Sequence, residues 1–117
     1  MTYVDGFLIP VPGANRDAYR EMAEHAAVIF KKHGVLSVVE CWGDDVPEGK
    51  VTSFPMAVKL EPGEAVVFSW MIWPSKAVRD AGLQTAMQEF EATGFQASHL
   101  FDGQRMIFGG FEAIVEA

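Results

Sequence analysis

Four polar side chains stand inside stretches that are otherwise apolar or β-prone: Asp5, Glu40, Ser69 and Arg105. Side chains alternate between the two faces of a strand, so residues two apart share a face. Asp5 then lies with Tyr3, Phe7 and Ile9, Glu40 with Val38 and Trp42, Ser69 with Val67, Met71 and Trp73, and Arg105 with Ile107 and Phe111. If the strand register brings these sets together on the open face of a sheet, an apolar cavity gains two carboxylates, a hydroxyl and a guanidinium. Burial raises the pKa of a carboxylate and a neighbouring Arg lowers it, which is how a general base is poised near neutrality. Asp5, Glu40 and Arg105 are therefore the candidate catalytic residues. Tyr3, Trp42, Ser69 and Trp73 are the candidate ligand-binding ones. The competing reading of the same residues is a buried ion pair that fixes register and does no chemistry.

The other reactive side chains offer less. His25, His33 and His99 show no metal-ligand spacing, and the single Cys41 allows neither an intrachain disulfide nor a thiolate cluster, so no metal is expected. Asp44, Asp45 and Glu48 lack the spacing of a calcium loop and read as a solvated turn. Gly103, Gly109 and Gly110 precede no helix and form no phosphate-binding fingerprint, and no serine lies in a nucleophile elbow, so no cofactor is expected.

The elements that position these residues follow from periodicity and punctuation. Tyr3 to Val11 is β-branched and aromatic, and is closed by Pro12-Gly13. Asn15 is placed to cap a helix whose apolar residues, Tyr19, Met22, Ala23, Ala26, Ile29 and Phe30, recur at 3–4 spacing; Lys31, Lys32, His33 and Gly34 suit its end. Val35 to Trp42 reads as a second strand. The stretch 51–60 is open between a short strand and an irregular excursion, because Pro55 interrupts it. Ala65 to Trp73 is nearly all apolar and reads as a central strand. Ser75 caps a second helix from Lys76 to about Phe90, weakened by Gly82 and a thin apolar face. A loop from Thr93 to Gly103 leads to a last strand, Arg105 to Val115, where Gly109-Gly110 implies a bulge or a close backbone approach.

The order β-α-β-β-α-β predicts an α+β, ferredoxin-like sandwich: a four-stranded antiparallel sheet with two helices on one face. The length of 117 residues suits one domain with one core. Both faces of the Ala65 to Trp73 strand are apolar, yet two helices cover one face only. A second copy is the simplest cover for the other, so a homodimer burying roughly 800 Å² or more per subunit is expected. A net charge of −7 with scattered basic residues excludes an ordinary nucleic-acid groove. No apolar run approaches the ~20 residues of a membrane helix, and Met1 to Pro10 lacks the basic start of a signal peptide, so the expected compartment is the cytoplasm.

Three blocks carry a family resemblance: YVDGFLIPVPGANRDAYREMAEHAAVIFKKHGVLSVVECWGDDVPEGKVTSF, VVFSWMIWPSKAVRDA and FDGQRMIFGGFEAIV. Together they run along nearly the whole chain, and ECWGDDVP and DGQRMIFGGFE are its most specific parts. The chain resembles the YbaA-like family of small uncharacterised bacterial proteins. That resemblance implies a ferredoxin-like fold assembled as a dimeric α/β barrel, and it brings no established activity. The functional expectation is a small-molecule binding protein or cofactor-independent enzyme with its site between the sheet and a dimer partner. The alternative is a non-catalytic module that binds another protein.

Overall fold

The computed structural model describes residues 2–97 and 99–117; Met1, and Ser98 within the segment read as a loop, lie outside the described residues. The chain runs β1 (Tyr3–Pro12), a 3₁₀ turn (Gly13–Asn15), α1 (Arg16–Lys32), β2 (Ser37–Trp42), the single turn α2 (Phe54–Ala57), β3 (Glu64–Trp73), α3 (Lys76–Thr93) and β4 (Ile107–Glu112). The four strands form one antiparallel sheet in the order β2-β3-β1-β4. With α1 and α3 on one face, this is the expected α+β ferredoxin-like arrangement.

Local chemistry accounts for most boundaries. Ser75 Oγ accepts from the Val78 backbone N–H at 3.1 Å and starts α3, and Gly94 ends it in the left-handed conformation (φ 72°). Gly34 follows α1 at φ 111°. Asn15 precedes α1 but makes no cap with its side chain; its Nδ2 donates instead to the Leu100 carbonyl at 3.0 Å, tying the start of α1 to the segment before β4. In the ambiguous stretch, Ser53 Oγ accepts from Met56 N–H and Pro55 sits in the first turn of α2, where its missing donor costs nothing.

The last strand is shorter than expected. Pairing of β4 with β1 starts at Ile107 opposite Leu8 and ends at Glu112 opposite Tyr3, so Arg105 lies outside the strand. The register passes Gly109 and Gly110 without a bulge. Their role is close approach: a Cβ on Gly110 would collide with the Tyr3 ring, while the Phe111 ring crosses above Gly109 on the other face. Gly82 serves the same end in α3. A Cβ there would stand 2.7 Å from Trp73 Cζ3 and against the His33 carbonyl, so its absence lets α3 settle on β3 and on the end of α1.

The two faces of the sheet differ in cover. Ile9, Val11 and Val67 form one buried cluster with Tyr19 and Ala23 of α1; Tyr3, Met71 and Trp73 form another with Val35. On the opposite face Val4, Gly6 and Leu8 align with Ile72, Trp70 and Phe68, and with Phe111, Gly109 and Ile107. Neither long helix covers this second face, and Phe68, Ile107 and Phe111 are exposed on it.

Candidate functional site

The register decides what the polar residues can do. Glu40 pairs with Ser69 across β2 and β3, and Ser69 pairs with Phe7 across β3 and β1, so all three occupy one row on the helix-covered face. Asp5 shares that face, two residues from Phe7. The predicted convergence on the open face, toward a dimer partner, is thus not met: alternation fixes which residues share a side, but not which side the helices take.

Beneath the helices lies a cavity of about 340 Å³ between the sheet, α1, α3 and the segment after α3. Among the described residues its lining is apolar except for Tyr19, Glu40 and Ser69. Tyr19 comes from the apolar stripe of α1, and its hydroxyl donates to Glu40 Oε1 at 2.6 Å. Ser69 Oγ donates to Glu40 Oε2 at 3.0 Å. Among the described residues, each carboxylate oxygen of Glu40 thus has one neutral donor and no cation.

Glu40 lies on the edge strand and keeps solvent contact through an outer groove of about 440 Å³ between α1 and β2. Desolvation by the surrounding protein nevertheless raises its pKa above the ordinary glutamate value, against the lowering effect of the Tyr19 and Ser69 hydrogen bonds. Burial, followed by the neighbouring Glu40 charge, raises the Tyr19 hydroxyl as well, which keeps it a proton donor to the carboxylate. A carboxyl of raised pKa in an apolar cavity can take up or release a proton near a bound molecule.

The other predicted residues fall elsewhere. Asp5 is 4% exposed and is fully engaged: Trp73 Nε1 donates to Oδ2 at 2.9 Å, and the Arg79 guanidinium forks onto both oxygens at 2.8–3.2 Å. Arg79 also lies over the Tyr3 ring, 5.2 Å from its centroid. Tyr3, Asp5, Trp73 and Arg79 therefore form a closed cluster that locks α3 onto the β1-β3 pair. Trp42 lines the outer groove, where the Arg16 guanidinium lies 5.2 Å from its ring centroid.

Arg105 reaches none of these groups. It binds Glu64 through two hydrogen bonds at 2.7 and 2.8 Å, Asp102 at 2.9 Å and the Lys59 carbonyl at 3.0 Å. This holds Glu64 below the usual carboxylate range. Its part is to fasten the segment carrying Phe101 and Met106, which wall the cavity. The seven candidates thus divide into a cavity pair (Glu40, Ser69), a groove residue (Trp42), a buried lock (Tyr3, Asp5, Trp73) and a fastener (Arg105).

Three residues of weight were not legible as such. Tyr19 was visible only as part of a helical apolar stripe, although a phenol there needs a hydrogen-bond partner once buried. Arg79 carried a usable signal: a cation in the first turn of a helix opposes the helix dipole, so a specific carboxylate has to offset it. Arg16 had no signal beyond its charge. Among the described residues no group of three or more His, Cys, Asp or Glu is arranged to hold a metal ion, and no helix is long and apolar enough to cross a membrane.

Comparison with known proteins fits this architecture. The backbone is similar to that of Rv0793 from Mycobacterium tuberculosis, with a TM-score of 0.61 at 14% identity over 100% of this chain and 99% of that one, which shows a shared fold. In sequence the chain is 57% identical over 116 residues, 99% of both chains, to the uncharacterized protein YbaA of Escherichia coli K12, and equally to YbaA of Shigella flexneri. These relatives carry no assigned function. Residues 2–103 match the family model described as a protein of unknown function, DUF1428, and the chain belongs to that family.

Proposed function

We propose that the protein binds a small, largely apolar molecule in the cavity between its sheet and its two long helices, with Glu40 as the carboxyl group there, among the described residues, able to exchange a proton. The observation that carries this reading is the composition of the cavity wall. A space of about 340 Å³ lies within the range of small-ligand sites, and such sites combine apolar walls with a few placed polar groups. Tyr19, Glu40 and Ser69 are those groups, already oriented by one another.

The reading extends to the whole chain as a single cytoplasmic domain that works as a homodimer. Support for the dimer is the apolar face of the sheet that neither long helix covers, where Phe68, Ile107 and Phe111 are exposed. Pairing two such faces gives the α/β-barrel assembly and leaves each cavity inside its own protomer.

Native mass spectrometry of protein isolated from its own cells tests the binding reading. The expected result is an excess mass over the 12.9 kDa chain that is lost on acid unfolding. A bare polypeptide mass in every preparation, together with no rise in Tm across a panel of apolar small molecules, would overturn it.

A further inference from the structure

We propose that the ligand is an amphipathic monoanion, a carboxylic acid whose apolar body fills the inner cavity while its carboxylate is bound by Arg16 in the outer groove. This rests on the binding reading above and names the class of molecule.

Three observations carry it. The outer groove and the inner cavity share Tyr19, Ala23, Ala27, Val38 and Glu40 in their linings, so the two spaces adjoin and one molecule can occupy both, lying past Glu40. The inner space is apolar, and at ~30 Å³ per water-sized group it admits a body of about ten heavy atoms.

The third observation is the state of the arginines. The chain has four. Arg79 is paired with Asp5, Arg105 with Glu64, and Arg20 with Glu24 at 3.8 Å. Arg16 makes no ion pair and no side-chain hydrogen bond among the described residues; it lies over the Trp42 ring at the groove, its planar face supported and its donor edge unused. In a chain of net charge −7, a guanidinium without a carboxylate is the uncommon case. A guanidinium fork matches a carboxylate bidentately.

Asp17 and Glu24 line the same groove, and Glu40 lies at its inner end. Arg20 lines the groove as well, in a loose, exposed contact with Glu24 at 3.8 Å, and two charges on a phosphate head would meet more repulsion from these acids than the single charge of a carboxylate. The geometry therefore favours the monoanion.

Titration calorimetry with decanoate, decanol and decyl phosphate on the wild-type protein and on Arg16→Gln decides the matter. Arg16 is exposed, so Arg16→Gln is expected to keep the wild-type Tm. Decanoate should bind at least tenfold more tightly than decanol, and Arg16→Gln should erase that difference while leaving decanol unchanged. Equal affinity for decanoate and decanol in the wild type, or a preference that survives Arg16→Gln, overturns the head-group assignment and leaves the cavity reading standing. Tighter binding of decyl phosphate than of decanoate overturns the monoanion. Binding of none of the three overturns this proposal and counts against the cavity reading as well.

Discussion

Glu40 holds its proton more firmly in the folded chain than in the unfolded one, because the protein packed around it desolvates its charged form. The sign of the stability effect follows. A raised folded pKa contributes stability below the unfolded value of about 4.5, and that contribution is lost as pH rises through the folded value. Glu40→Gln removes the charge at every pH and keeps the side-chain shape. The variant is expected to match the wild type below pH 4.5 and to gain on it as the pH rises to neutrality, by about 1 kcal/mol at most, since the carboxylate keeps solvent contact. Thermal melts of both proteins from pH 4 to 8 check this. The depressed carboxyls of Glu64, Asp80, Glu89 and Asp102 act in the opposite sense, losing their contribution as pH falls, and they cancel in the difference because both proteins carry them.

At the scale of elements, α3 shows where propensity and packing disagree. From the sequence, Gly82 weakens the helix, and Gly82→Ala gains about 1 kcal/mol on helix propensity alone. In the fold the added methyl meets Trp73 at 2.7 Å and the backbone carbonyl of His33, neither of which can swing aside like the end of a flexible side chain. Overpacking of this kind costs about 1–3 kcal/mol, so the expected net effect is destabilisation, read as a lower urea midpoint at unchanged slope. A higher midpoint would mean that α3 does not sit this close to β3.

The same scale explains what the sequence made legible. Element order, the Ser75 cap and the residues sharing each strand face were readable because they depend on neighbours two to four positions apart. The orientation of the Asp5, Glu40 and Ser69 set was not, because β3 is apolar on both sides and alternation carries no sign. Arg105 was misplaced because a β-like run was extended two residues beyond the first ladder pair. The Asp5–Arg79 pair spans 74 positions and involves a helix with a faint apolar stripe, so nothing local pointed from one residue to the other.

For the whole molecule, the uncovered sheet face is the feature with the largest consequence. Phe68 is 46% exposed near its centre, and Phe111 is 62% exposed at its rim. If two copies meet there, Phe68→Asp places a desolvated carboxylate in the contact and is expected to shift the protein from dimer to monomer at micromolar concentration, measured by sedimentation velocity. Sedimentation of the wild-type protein as a monomer under the same conditions would remove the dimer from the account.

Glu40 points away from that face, toward the helices of its own subunit. In a pair joined through the bare sheets, the two entrances open on opposite outer surfaces, with both layers of strands between them. In such a pair neither subunit would lend a side chain to the other's chamber. If each chamber takes one ligand, the expected isotherm of such a pair is hyperbolic, and a sigmoidal one would mean that the paired sheets carry coupling between the chambers.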